Sequence, residues 1–410
     1  MNRLQLRSLY TGALLLLCLV LGGGTQKGLP TVFALELLAL PLAFDLAVRR
    51  SPRPGFDWPV YALTGLIALC FVIQFVPGLP SASRDPGRTL DSLVYVAFAL
   101  TLFFAFGRLE PAERNRMIPW FLTGVILNIA LALTQFAASR GLAIELFPYT
   151  LGAGFFANAN HFSSLLYAAI PFIIYQFDAI DRLPLASLAL LVIVFVEFAA
   201  GSTAGIFLSL GCAMVSIAII GRVRPFIRSA LLGIVVLGAI GLAANPGNVL
   251  NVEVDDPLDR PQIALTTLAA LQKNLPFGSG YGTFDIVYPS AETDTAISRE
   301  FINHAHNEPL ELVLEGGIPA ALAILAYLLL LAWRLPAARQ SQFSMAALCS
   351  IGFILIHCLV DYPLRSAALV VVFALLNAIY FAPALVTPTS RRRGRGSGVR
   401  GALGQLSIRH

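Results

Sequence analysis

The chain has 410 residues, of which 57% are apolar and only 12% charged, about half the roughly 25% of an ordinary globular protein. A mean hydropathy of +0.77 excludes a disordered chain, a coiled coil and a nucleic-acid-binding surface. The net charge of +5 comes from 28 basic residues, only Lys27 and Lys273 being lysines, against 23 acids, so its meaning depends on where the arginines fall.

A bilayer core of about 30 Å needs roughly 20 apolar residues in a helix. Twelve stretches fit: 9–24, 30–48, 58–76, 90–107, 117–138, 161–177, 184–200, 203–220, 229–244, 309–332, 343–360 and 366–385. The composition therefore predicts an all-α polytopic membrane protein. Gly28, Pro30, Pro59, Pro77, Pro111 and Pro184 punctuate the joints. The first stretch follows Arg3 and Arg7 but no small-residue cleavage pattern follows it, so an uncleaved anchor is expected. With the N-terminus in the cytoplasm, 20 of the 28 basic residues fall on the cytoplasmic side, as the positive-inside rule requires. Both termini are then cytoplasmic. Residues 1–388 read as the transmembrane domain and 389–410, with Arg391 to Arg393, as a basic, Gly-rich, disordered cytoplasmic tail. Cys18, Cys70, Cys212, Cys349 and Cys358 lie in apolar runs at spacings that suit neither disulfides nor a metal.

Polar residues concentrate on the opposite face. A loop at 245–308, between the ninth and tenth stretches, carries nine acids with Arg260, Lys273 and Arg299, and a second outer loop runs from 139 to 160. Long loops are usually functional. After Arg260, Leu265, Leu268 and Leu271 take the spacing of one helical face, which reads as a short surface helix. Gly278, Gly280 and Gly282 then predict a tight turn that lets backbone approach a ligand or a membrane surface; no strand–helix unit surrounds them to support a dinucleotide fingerprint. The loop closes on His304, His306 and Asn307, where Asn307 is a suitable N-cap, Pro309 suits the first turn, and Glu308, Glu311 and Glu315 form one stripe. Carboxylates there are costly unless they face water or pair with Arg. An imidazole near neutrality can take a proton from a sugar hydroxyl, and a helix N-terminus beside Arg260 and Arg299 favours phosphate. His357 and Asp361 are four apart and can face each other, with Arg365 close behind.

At these residues the chain resembles the O-antigen ligase and Wzy-type polysaccharide polymerase superfamily. The likeness covers roughly 150–380 and rests on Phe155 to Phe162 with Asn158, Asn160 and His161, on Pro276 to Phe284 followed by Tyr288, and on His306-Asn307 before Gly317. It implies a glycosyltransferase of C-type architecture, with one large periplasmic loop between helices nine and ten. Such a bacterial inner-membrane enzyme takes a glycan from undecaprenyl pyrophosphate on the periplasmic side and passes it to an acceptor hydroxyl. The acceptor is lipid A core or a second lipid-linked glycan, and other polysaccharide-assembly proteins are possible partners; no cofactor or metal is called for. The resemblance places the catalytic His at His306 and a phosphate-binding Arg at Arg260. Asn158, Asn160, His304, Arg299, Arg365, Asp361, Gly278 and Gly280 are the expected substrate contacts. One departure is plain: where family members carry an Arg after the Ser that opens a middle span, this chain has Ser202-Thr203-Ala204-Gly205. The alternative is a polysaccharide flippase or secondary transporter without transferase activity. A transporter would gather its polar groups near the bilayer midplane rather than at outer helix ends.

Overall fold

The computed structural model describes residues 3–24, 30–48, 55–76, 83–142, 153–179, 183–220, 260–293 and 301–382. Among these the fold is helical, without a strand. The helices are α1 (Arg3–Leu21), α2 (Pro30–Val48), α3 (Trp58–Gln74), α4 (Pro86–Gly107), α5 (Pro111–Asn115), α6 (Met117–Ser139), α7 (Ala159–Ala179), α8 (Leu183–Ala199), α9 (Thr203–Ile219), α10 (Arg260–Asn274), α11 (Phe284–Val287), α12 (Glu308–Ala338), α13 (Gln342–His357) and α14 (Ala367–Phe381). Apolar stretches fold this way because lipid offers backbone groups no partner, so each helix must satisfy its own. Four helical runs are long and apolar enough to cross a membrane (Pro30–Val48, Pro86–Gly107, Pro111–Ser139 and Glu308–Ala338), and six shorter apolar helices accompany them. The expected span at 229–244, Arg299 and the basic tail lie outside the described residues.

Helix starts are set by residues legible in the chain. Asp85 accepts from the Arg88 N–H at 3.1 Å, with Pro86 in the first turn of α4. Ser202, Asn307, Ser341 and Ser366 cap α9, α12, α13 and α14 in the same way. The bundle closes around α7 and α14: α7 packs on α9 and α13, and α14 on α4, α13 and α1. Most of α14 is buried, from Ala367 through Phe381.

The long helix α12 breaks at Gly317, whose φ of 63° and ψ of −152° leave the helical region. A broken helix in lipid must have its freed groups satisfied elsewhere, and the Gly-rich segment does this. Ser279 and Gly280 donate their N–H groups to the carbonyls of Leu314 (3.1 Å) and Glu315 (2.9 Å), while the Ile318 N–H reaches the Pro276 carbonyl at 2.8 Å. Gly278 and Gly280 both have left-handed φ, of 88° and 103°. A Cβ on Gly278 would collide with the Glu315 carbonyl, and one on Gly280 with Ser83. The close backbone approach expected of this segment is therefore made to the chain's own α12. Gly278→Ala is expected to cost about 2–5 kcal/mol, left-handed strain adding to overpacking. A fall in the melting temperature of the detergent-solubilised protein checks this, and an unchanged value would contradict the packing.

The short surface helix expected after Arg260 is present as α10. Leu271 is buried, but Leu265 and Leu268 are 62% and 44% exposed. The buried face is Ile263, Thr266, Thr267, Ala270, Leu271 and Asn274. Threonine and asparagine take core positions here because Thr267 Oγ1 and Asn274 Nδ2 bond back to the carbonyls of Ile263 and Ala270.

Candidate active site

Asp361 is the hub of the polar cluster. It lies in the joint between α13 and α14 and is 1% exposed. Its Oδ2 accepts from Asn160 Nδ2 at 2.9 Å, and its Oδ1 from the Tyr362 N–H at 2.8 Å. Three imidazoles surround the same carboxylate. His161 Nε2 and His306 Nδ1 stand 3.6 and 3.7 Å from Oδ1, and His357 Nε2 stands 3.9 Å from Oδ2. Burial pushes the Asp361 carboxyl up. The imidazoles of His161, His306 and His357 outweigh that and hold it well below the usual carboxylate range.

His357 is oriented from behind by Ser164 Oγ and Tyr167 OH, 2.9 and 3.1 Å from its Nδ1. Ser164 Oγ in turn donates to the Asn160 carbonyl at 3.0 Å, which ties the ring to the first turn of α7 and leaves its Nε2 side facing the carboxylate. His306 differs from the other two. It is the one described non-Gly residue with positive φ, at 49°. Its Nδ1 side faces Asp361, so Nε2 is the ring nitrogen turned away from the carboxylate. A strained backbone at a buried charge is where function is sought. The Tyr362 ring separates the imidazoles, its centroid lying 4.9, 4.2 and 5.0 Å from those of His161, His304 and His306. Burial, and then the charge of Asp361, pushes the Tyr362 phenol up to about 12.

Beside this hub the Glu stripe closes on Arg365. Its guanidinium lies 3.4 Å from Glu308, 3.2 Å from Glu311 and 3.5 Å from Glu315, all four side chains being buried. Burial alone would lower the Arg365 pKa, but the three carboxylates raise it above its ordinary value, so it stays charged. Glu311 also takes His304 Nδ1 at 2.9 Å and the Ala305 N–H at 2.8 Å, and Glu315 takes the Gly282 N–H at 2.8 Å. Glu308 accepts from the Leu364 N–H, and its own N–H donates to the Cys358 carbonyl. The start of α12 is thereby sewn to the α13–α14 joint.

The expected site residues thus separate by what they touch. His306, Asp361 and Asn160 meet directly, and Asn158 accepts from the Asn160 N–H at 2.8 Å. Arg260, the first residue of α10, donates to the Val360 carbonyl at 3.1 Å, next to Asp361. Arg365 and His304, expected at a substrate, are engaged by the Glu stripe instead. Gly278 and Gly280 hold α12. Both oxygens of Asp361 are occupied by N–H donors, and among the described residues no group of three His, Cys, Asp or Glu is arranged for a metal ion. Ser164, Tyr167 and Tyr362 were not foreseen; only the position of Tyr362 next to Asp361 could have flagged it.

A cavity of about 620 Å³ reaches this cluster from the apolar interior, between α3, α4, α12, α13 and α14. Leu63, Phe71, Phe103, Leu312 and Phe373 line its length, and Glu308, Glu315 and Arg365 close its polar end.

Residues 186–325 match the family model described as O-antigen ligase. The likeness is to that family over this segment, about a third of the chain. Ser202, Arg260, His306 and the Glu stripe lie within the matched region, while Asn160, His161, His357, Asp361 and Arg365 reach the same cluster from outside it. No curated protein matches the chain. The matched segment and the apolar helices fit a multi-pass membrane protein.

Proposed function

We propose that the protein is an inner-membrane glycosyltransferase that moves a glycan from undecaprenyl pyrophosphate to an acceptor hydroxyl on the periplasmic side. The observation that carries this reading is His306 held beside the ionised Asp361, next to the polar end of an apolar cavity. The polyprenyl tail occupies the cavity, where its apolar surface leaves water. The diphosphate sits toward Arg260 and the helix ends, with Asn158 near the sugar. His306 Nε2 takes the proton of the acceptor hydroxyl, the oxygen attacks the anomeric carbon, and the bond from that carbon to the phosphate oxygen breaks. The lipid diphosphate departs with the electron pair. A diphosphate is already a good leaving group, so positioning and charge neutralisation are what the protein must add. Asp361 keeps the imidazole in the tautomer whose Nε2 accepts, and stabilises the imidazolium that forms.

A transporter is the weaker reading. The one broken helix described, α12, has its freed backbone groups taken by the chain's own loop, and the polar groups gather at helix ends. Reconstitution in liposomes with a synthetic undecaprenyl-pyrophosphate trisaccharide separates the readings. With lipid A core or a second donor molecule as acceptor, a product heavier by one trisaccharide is expected. Movement of the intact donor across the bilayer without such a product would favour transport.

A further inference from the structure

We infer that Ser202, acting through Asn160, is a positioning residue that aims Asp361 at His306. This rests on the reading of His306 and Asp361 as the transfer centre. It gives a task to the Ser after which the family's Arg is missing, and a different task to Asn160 from the sugar contact expected of it.

The Asn160 amide is fixed at four points. Its backbone N–H donates to Asn158 Oδ1 at 2.8 Å and its carbonyl accepts from Ser164 Oγ at 3.0 Å, so the residue is anchored in the first turn of α7. Its side chain then bridges two elements far apart in sequence. Oδ1 accepts from Ser202 Oγ at 2.9 Å, and Nδ2 donates to Asp361 Oδ2 at 2.9 Å. The direction of this relay follows from proton counting. Ser202 Oγ already accepts the Gly205 N–H at 3.2 Å as the cap of α9, which leaves its single proton to donate. The Asp361 carboxylate can only accept, so the Asn160 NH₂ faces it and Oδ1 faces Ser202, whose proton completes the relay. With Oδ2 held there and Oδ1 held by the Tyr362 N–H, the carboxylate presents Oδ1 to His306 and His161. Ser202 is 1% exposed and Asp361 is 1% exposed, so water does not compete for these bonds.

Without the hydroxyl, Asn160 Oδ1 loses its donor and the amide is no longer held from behind, so its bond to Asp361 Oδ2 loosens and the carboxylate loses its orientation. The experiment uses the full-length protein in nanodiscs, the same trisaccharide donor, and Ser202→Ala, Ser202→Thr and Ser202→Asp. Ser202→Ala is expected to lower kcat about tenfold with KM for the donor unchanged. The acid limb of the pH–rate profile should also move up, because a carboxylate that gives up one donor holds a proton on its imidazole partners more tightly. Ser202→Thr restores the hydroxyl and should bring kcat within about twofold of the natural chain. Ser202→Asp still caps α9 but cannot donate, and is expected to lose at least as much kcat as Ser202→Ala. Natural kcat and an unmoved acid limb in Ser202→Asp would overturn the relay, as would equal losses in Ser202→Thr and Ser202→Ala. His306→Asn tests the underlying reading separately: full transfer by that variant removes the transfer centre, whatever Ser202 does.

Discussion

Replacing His306 by Asn is expected to lower glycan transfer about 10²- to 10⁴-fold, the usual contribution of a positioned general base. Asn is the informative choice because the backbone at His306 is left-handed, a conformation Asn tolerates better than Ala does. The fold should therefore survive, with the melting temperature unchanged while product formation collapses. Asp361→Asn is expected to lose activity too, and to displace the pH dependence. Asp361 is held well below the usual carboxylate range, so it remains ionised across the working range. The acid limb then reports protonation of the imidazoles. Removing the anion makes an imidazolium harder to form, so the limb should move to lower pH in Asp361→Asn. That is opposite in sign to the shift expected of Ser202→Ala. A limb that moved the same way in both variants would contradict the arrangement of charge around Asp361.

The second large effect concerns stability. Arg365→Met is expected to destabilise the protein by about 3–5 kcal/mol, the range seen when one partner of a buried ion pair is removed. Arg365 is the shared partner of Glu308, Glu311 and Glu315, and all four side chains lie below a tenth exposed. Without the guanidinium, three carboxylates face one another in a site closed to water. Arg365→Lys should fail to rescue, since one ammonium cannot span three carboxylates as the planar fork does. Adding Glu308→Gln and Glu315→Gln to Arg365→Met removes the uncompensated charge and should recover part of the loss. Thermal unfolding of the solubilised variants measures both steps. Equal melting temperatures for Arg365→Met and the natural chain would show that the cluster is not closed in this way.

Much of the bundle was legible because lipid simplifies the code. An apolar run must be a helix where water cannot satisfy the backbone, and a Ser, Asp or Asn before it marks the start. On α10 the helix was legible but its buried face was not. It lies outside the apolar runs, so the periodicity of Leu265, Leu268 and Leu271 competed with Thr and Asn residues that bury themselves by bonding back to their own helix. The candidate site was legible in kind, as His, Asn, Asp and Arg gathered where the helices end. Its division of labour was not. Arg365 looks like a phosphate ligand until the three glutamates of α12 are seen around it, and Asn160 looks like a sugar contact until its amide is found between Ser202 and Asp361.

The sequence by itself determined the helical, membrane-like class, the Asn307 cap, and the residues with chemistry to offer. Charge count, apolar length and capping are local properties, fixed within one or two turns of chain. Tertiary structure alone decided which of those residues spend their polar atoms on each other. A hydrogen bond or ion pair between positions 160 and 361, or 311 and 365, depends on which helix ends meet and at what rotation. Packing of α7, α13 and α14 sets that, and no spacing along the chain records it.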